Sequence, residues 1–469
     1  MTKIFAQLNA VIWGIPALVL ILGVGLFLSI RMGFPQIRLL PQAIRVFLSR
    51  LIPGKQKNVS SFRSLCTALG ATVGTGNLVG VAGAICIGGP GAVFWMWISG
   101  LLGMGTKYAE AMLAVRYRRK TENGYMGGPM YVIVDGLGKK YRPLAVMYCL
   151  FGLIASFGVG NGTQVNAVVT AVNRVLVSFS VGPGKAGNLA MGLSLAILTG
   201  TLLLGGAKRI GAAAEKLVPI AAGAYILLCA GVLTSRREQI PSAFSSILMG
   251  AVDPKAVTGG ALGSVFQALR TGCSRGVFTN EAGMGTASIA HACADVEHPV
   301  QQGLMGIVEV FLDTIVICTL TALVILVSGV PIPYGVDMGP VLTTDAFSQI
   351  YGKAASVLIA LMLCAFAVAT VLGWGLYGAR CAQFLFGEKS WKPFALLQTA
   401  MVLLASVADT ETVWQLSETI NGLMVIPNLL ALAALSPELV RLTKEYRKTG
   451  VLDTGGGRYY ADFHQCKPL

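Results

Sequence analysis

Charge is the scarcest property of this 469-residue chain: Asp, Glu, Lys and Arg together make up 12% of it, about half the share found in a soluble domain. Histidine is nearly absent, with only His291, His298 and His464, and there is neither an HExxH run nor a paired acidic metal motif. That removes the common ways of building a hydrolytic metal centre, and the chain reads as a non-enzyme. The ten cysteines form no CxxC pair and fall mostly inside apolar stretches, which excludes a zinc module or a disulfide scaffold and makes them small packing residues. Long polar linkers are missing too, so a disordered chain is excluded. What fills the space is 54% hydrophobic residues, 58 glycines and a mean hydropathy of +0.70. Apolar runs recur that are long enough to cross a hydrocarbon layer of about 30 Å. The chain therefore reads as an all-α polytopic membrane protein.

Hydropathy predicts about eleven spans, at 10–30, 61–87, 90–115, 143–172, 186–204, 211–233, 258–290, 300–328, 354–386, 391–408 and 412–436. The apolar run at the N-terminus extends to Ile30 and is followed by Arg31, which reads as an uncleaved first span rather than a signal peptide. The net charge of +15 does not point to nucleic acid, because Lys and Arg are confined to short connections between the spans. Of the 36 positive charges, 26 fall on one set of alternate connections and seven on the other. The richer side is the cytoplasmic one, which puts the N-terminus outside and the C-terminus inside the cell membrane. Residues 36–52 place Ile37, Leu40, Ile44, Phe47, Leu48 and Leu51 on one helical face, as in a helix lying in the inner headgroup layer. Segment 240–257 has the same character on the outer side; for both, the alternative is an ordinary surface loop.

Two spans are poor helices at their centres, and a bilayer tolerates that only where the freed backbone faces protein or a water-filled cavity. One is Gly70-Ala71-Thr72-Val73-Gly74-Thr75-Gly76-Asn77-Leu78-Val79-Gly80; the other, about 200 residues later, runs from Thr271 to Gly285. Setting the first span aside, these runs lead two groups of five spans, and an odd number per group gives the groups opposite topology. The chain then divides into an extra N-terminal helix with its interfacial helix (1–60), a first repeat (61–233), an inverted second repeat (234–436) and a cytoplasmic tail (437–469). Broken helices at matching positions of inverted repeats point to the binding site of a secondary transporter. Free amides at a half-helix start attract a carboxylate and unwound carbonyls suit a sodium ion, so the expected cargo is a small anionic or zwitterionic solute with a cation. Glycines that merely let helices pack would read the same way in either run alone. Gly74, Gly76 and Gly80 also approach a dinucleotide fingerprint, but the GxGxxxG spacing and the hydrophobic helix around it exclude that reading.

Several longer strings carry a resemblance: Gly88-Gly89-Pro90-Gly91-Ala92-Val93-Phe94-Trp95-Met96-Trp97-Ile98-Ser99-Gly100, Gly127-Gly128-Pro129-Met130-Tyr131, the block Arg275 to Gly285, and Leu372-Gly373-Trp374-Gly375-Leu376-Tyr377-Gly378. With the first broken run they are similar to the alanine or glycine:cation symporter family of the amino acid–polyamine–cation superfamily, and the match spans most of the chain. The resemblance implies a leucine-transporter-type fold and sodium-coupled symport of a small neutral amino acid, alanine or glycine first, with glutamine, serine or proton coupling as alternatives. It implies carboxylate binding by Thr75, Gly76 and Asn77. A sodium site is implied at the carbonyls of Gly70 and Val73 and the hydroxyl of Thr370, a hard-oxygen set. Members often carry two hydroxyls where this chain has Ala369-Thr370. Gln164, in the polar interruption Gly160 to Asn166, resembles the family's substrate-facing glutamine. Trp374 lies four residues after Thr370 and so on the same helical face, where both could line one wall of the pocket. Thr271, Gly272, Cys273 and Ser274 are further substrate-side candidates.

Intramembrane acids need partners. Lys107 and Glu110 are spaced as an i, i+3 ion pair; Glu281 could pair with Arg275 or cap an opened turn; Glu309 and Asp313 share a face and fit a second cation site, a proton relay or plain hydrogen bonding. No cofactor is expected beyond sodium as cargo, and the partners are the amino acid, sodium and membrane lipid. One copy of the chain suffices for the mechanism. A channel, the main alternative class, would need a continuous polar pore rather than two broken helices around a closed site.

Overall fold

The computed structural model describes residues 14–51, 59–121, 124–182, 184–336, 338–408 and 410–448. Helix occupies each of the eleven expected spans, with shifted ends and several interruptions. The first span is α1 (Ile15–Met32), whose expected start at 10–13 lies outside the described residues. It stops where Gly33 turns left-handed (φ +71°) and its N–H caps the Ile30 carbonyl. The amphipathic run at 36–52 folds as a short turn and then α2 (Leu40–Leu51). The second span is two helices, α3 (Val59–Thr72) and α4 (Val81–Gly88), and the third is α5 (Gly91–Arg116). A two-stranded hairpin follows, Arg119–Thr121 against Gly124–Met126.

The fourth span divides into α6 (Arg142–Phe157) and α7 (Thr163–Ser178) around a wide turn at Gly158–Gly162. After it come α8 (Lys185–Leu204), α9 (Gly206–Ser235) and α10 (Ile240–Val252). The seventh span is α11 (Val265–Asn280) and α12 (Thr286–His291); the eighth is α13 (Pro299–Val310) and α14 (Thr319–Val327), joined by a wide turn at Phe311–Cys318. Hydropathy did not single out α15 (Gly339–Tyr351), whose polar residues keep it off the apolar profile. The chain ends in α16 (Ala354–Phe386), α17 (Trp391–Ala405), α18 (Thr410–Ala434) and α19 (Ser436–Lys448). Thus the first part of the expected tail is a docked helix: Thr443 meets the Tyr108 hydroxyl at 3.3 Å, and Glu438 pairs with Arg116 at 3.0 Å. Residues 449–469 lie outside the described part.

By length and composition, five helical segments among the described residues could cross a membrane, or seven if each bent pair is one span. The others are shorter or carry buried polar groups, as α5 does with Lys107 and Glu110. On the periphery, Leu193, Ile197 and Leu198 of α8, Ile220 and Leu227 of α9, and Leu396, Leu397 and Leu404 of α17 are exposed. Contiguous aliphatic surface of this kind suits hydrocarbon rather than water. The interior is built around α5, against which α11 and α13 pack closely. A side chain at Gly306 of α13 would come within 2.8 Å of the Lys107 carbonyl, so the two backbones nearly touch, as small residues permit in membrane helices.

Candidate functional site

The first break falls where the sequence concentrates glycine. Val73 still donates its N–H to Leu69 at 2.7 Å, the amides of Gly74 and Thr75 leave the α3 ladder, and a wide turn at Gly76–Gly80 leads into α4 with a bend of 48°. Backbone donors freed there are directed at side-chain oxygens: the Gly74 N–H to Asn77 Oδ1 at 2.9 Å, and the Thr75 N–H to Gln164 Oε1 at 3.5 Å. The Thr75 hydroxyl is fully buried and has no hydrogen-bond partner. A Cβ on Gly74 would lie 2.8 Å from Thr370 Oγ1 and 3.3 Å from Gln164 Oε1; one on Gly76 would lie 2.9 Å from Thr279 Cγ2. The glycines thus let α7, α11 and α16 converge on the break. Asn77 is held from behind, donating Nδ2–H to Asp313 Oδ1 at 2.7 Å, in the wide turn between α13 and α14.

Residues 300 apart meet at the far edge of the same break, where Thr370 Oγ1 donates to the Gly70 carbonyl at 3.0 Å. Gly373, almost a turn further along α16, packs on Ala71. The oxygens gathered here are carbonyl and hydroxyl, as a hard monovalent cation prefers. Among the described residues no three His, Cys, Asp or Glu side chains group as a metal centre would need.

The second break is shorter than the sequence suggested, because residues 271–280 remain helical. The chain leaves the helix only at 281–285, where Glu281 (φ +55°), Gly283 (φ +95°) and Gly285 (φ +76°) are left-handed. The glycines before it serve packing instead. Gly272 would bring a Cβ to 2.2 Å from the Ala92 carbonyl oxygen, and Cys273 Sγ faces the Trp95 carbonyl at 3.7 Å, so both turn toward α5. Thr271 and Ser274 are half-buried on the same helix, with Thr271 against Gly88. Glu110 receives the freed amides of the second break: its Oε1 accepts from Gly283 N–H at 2.9 Å, Gly285 N–H at 3.1 Å and Asn428 Nδ2–H at 2.7 Å. Glu281 accepts from Trp374 Nε1–H at 2.8 Å and from the Thr286 hydroxyl at 2.5 Å.

The structure therefore brings Gly70, Val73, Thr75, Gly76, Asn77, Gln164 and Thr370 together at one break, and sets Trp374 at the other. Sequence reasoning missed Thr279, Asn280 and Asn428. Asn280 bridges Thr314 Oγ1 at 3.0 Å and the Ala282 N–H at 2.9 Å. Asn428 had a readable signal, an amide within the apolar stretch 422–434 of α18.

Behind the breaks lies a buried polar chain. Lys107 Nζ stands 3.3 Å from Glu309 Oε1 and 4.0 Å from Glu110 Oε2. Glu309 Oε2 is 2.7 Å from His291 Nε2, and His291 Nδ1 is 2.7 Å from Gln302 Nε2. Ser61 donates to Gln302 Oε1 at 2.6 Å and itself accepts from Arg50. With Gln302 Oε1 accepting from Ser61, its Nε2–H donates to His291 Nδ1, and His291 then donates from Nε2 to Glu309. Of the two acids read as relay, cation or hydrogen-bonding candidates, Glu309 lies in this chain and Asp313 accepts from Asn77 and Thr314. Replacing Lys107 by Met leaves two buried carboxylates without their cation, and should lower stability by about 3–5 kcal/mol. Thermal unfolding in detergent checks this, with partial recovery expected when Glu309→Gln is added; an unchanged midpoint would contradict it.

Two interrupted helices facing a common interior, with backbone donors and acceptors turned inward and an aliphatic exterior, define a membrane carrier of small solutes. The comparisons give the family. The sequence pattern of the sodium:alanine symporter family matches residues 1–454, and the chain belongs to that family. It is 41% identical to the sodium/alanine symporter AgcS of Methanococcus maripaludis, over 94% of this chain and 96% of that one. It is 36% identical to the probable sodium/glutamine symporter GlnT of Bacillus subtilis, over 94% and 89%. Among solved structures, that of MhsT in complex with L-phenylalanine matches with a TM-score of 0.56 at 13% identity, over 82% of this chain and 97% of that chain, a likeness of fold. The protein is a multi-pass membrane transporter of a sodium-coupled amino acid symporter family.

Proposed function

We propose that this chain carries alanine or glycine into the cell with sodium, by alternating access about the break at residues 73–75. The observation that supports it most is the pair of freed amides, Gly74 and Thr75, aimed at amide oxygens in the way they would meet a carboxylate, with Thr370 on the Gly70 carbonyl beside them. Thr75, Gly76 and Asn77 take the substrate carboxylate, Gln164 and Trp374 face the substrate, and Thr370 belongs to both ligands. Sodium sits between the Gly70 and Val73 carbonyls and Thr370. Thr271 and Ser274 are outer substrate contacts, with Gly272 and Cys273 fixing α11 on α5. The close approach of Gly76 to Thr279 and of Gly74 to Thr370 favours a small side chain over glutamine.

In this reading all eleven helical segments cross the membrane, 61–233 and 234–436 are inverted repeats of the leucine-transporter type, and the N-terminal helix is additional. The N-terminus is outside and residues 437–469 are cytoplasmic, following the charge bias. Each ligand raises the affinity of the other, because sodium stabilises the arrangement of the break that binds the carboxylate. Uptake of radiolabelled L-alanine into proteoliposomes tests this, under an inward sodium gradient, no gradient, and a proton gradient. Accumulation only with sodium, competed by glycine more than by serine or glutamine, is the expected result. Accumulation driven by protons alone, or only of glutamine, would replace the cation or the substrate in the reading; accumulation of nothing under any gradient would sink it.

A further inference from the structure

The other buried acids of the interior are also partnered: Glu309 has Lys107, Glu110 has two backbone N–H groups and Asn428, and Asp313 has the Asn77 amide and the Thr314 hydroxyl. Glu281 is the one at the second break whose own backbone is left-handed. Its two oxygens accept from the Trp374 indole and the Thr286 hydroxyl, which come from different parts of the fold. We propose that Glu281 is a positioning residue for the transported amino acid: it ties the two halves of the second broken helix to the Trp374 indole and so sets the width of the substrate site. This rests on the placement of Trp374 beside the substrate given above.

Three observations carry it. The first is the backbone at the break. Three residues there are left-handed, two are glycines, and the third is Glu281 at φ +55°. A side chain in that conformation is strained where glycine would not be, and what the carboxylate adds is its contacts. The second is the direction of the bonds. Indole Nε1–H only donates, and Thr286 is the first residue of α12, so one carboxylate joins the end of α11, the start of α12 and α16.

The third is the confinement of the indole. Trp374 is fully buried, and on its other side Gly160 lies so close that a Cβ there would be 2.1 Å from Trp374 Cβ. The ring cannot retreat toward α6 and α7; Tyr377 packs edge-on against it at 5.7 Å, and the bond to Glu281 holds its Nε1 edge. Thr370 lies one turn earlier on α16 and holds the first break through Gly70. α16 thus carries one anchor to each break on a single face. A shift of α11 against α12 is read out at the substrate wall through the indole.

Alanine KM and maximal uptake rate should be measured for Glu281→Ala, Glu281→Gln, Trp374→Phe and the double variant Glu281→Ala/Trp374→Phe, together with competition by serine and glutamine. Glu281→Ala frees the indole, and should raise the alanine KM about tenfold with a much smaller change in maximal rate, while larger amino acids compete better relative to alanine. Trp374→Phe keeps an aromatic ring but removes the donor. It should reproduce the Glu281→Ala effect, and the double variant should be no worse than either single one. Glu281→Gln keeps an oxygen acceptor for the indole and should recover KM to within about threefold of wild type.

Multiplying effects in the double variant, or equal losses in Gln and Ala, would overturn the proposal. A readout independent of transport separates it from the function proposed above: the emission of Trp374, taken as the difference between each Glu281 variant and the same variant carrying Trp374→Phe. It should shift in Glu281→Ala and hold in Glu281→Gln. An unshifted Trp374 emission in Glu281→Ala refutes the positioning role whatever the protein carries. Should Glu281→Ala not fold, Thr286→Val replaces it. Cutting only the tie to α12, it should raise KM by less, about threefold, and an unchanged KM there counts against the proposal.

Discussion

Thr370→Val should reduce sodium-driven alanine accumulation at least about tenfold while the protein still folds, and Thr370→Ser should retain it. Valine has nearly the shape of threonine, so the packing of α16 on α3 survives, and what disappears is the oxygen that meets the Gly70 carbonyl at 3.0 Å. That carbonyl is then left buried without its donor, which costs about 1–3 kcal/mol and should lower the unfolding midpoint modestly. In the proposed reading the larger effect falls on the cation, which loses a side-chain ligand. Linkage adds a second signature: at sodium concentrations below saturation the apparent affinity for alanine falls too, and it rises again as sodium is increased, since each ligand strengthens the other. A valine variant with wild-type sodium dependence would remove Thr370 from the cation site.

Gly74→Ala should lower alanine uptake at low substrate on the order of a hundredfold, the scale at which a misplacement of about 1 Å is felt in a preorganised site. The added methyl would sit 2.8 Å from Thr370 Oγ1 and 3.3 Å from Gln164 Oε1, so both polar groups must move. Alanine also favours helix over glycine by about 1 kcal/mol, which biases the chain toward closing the break. Gly80→Ala is the matched control. It lies at the end of the same wide turn and a Cβ there would meet nothing within 4 Å, so uptake should remain near wild type. Similar losses in both variants would mean that helix propensity, rather than crowding of the site, controls the step.

Legibility differed between the two breaks for a physical reason. In the first, glycine density and the break coincide, because residues 73–75 leave the helix where three other elements approach. In the second, density misled: Gly272 and Gly276 lie in intact helix and receive the Ala92 carbonyl and the Ser99 hydroxyl of α5, while the opening is set by backbone angles at Glu281, Gly283 and Gly285. A glycine that admits a neighbour and a glycine that turns left-handed look the same in a sequence. The pairing of Glu281 was likewise open, since Arg275, Thr286 and Trp374 were all chemically able to meet it; the fold gives it Thr286 and Trp374.

The sequence by itself determined the membrane class, most of the long apolar helices, the position of the first break and the family, because each is written in local composition or in strings of neighbouring residues. Tertiary structure alone decided which oxygen meets which amide: Gln164 on Thr75, Thr370 on Gly70, Glu110 on Gly283 and Gly285, Trp374 on Glu281. These partners lie about 90 to 300 residues apart. Hydropathy is satisfied by any arrangement of apolar helices, and only their packing against one another selects the arrangement in which the polar groups within them are paired.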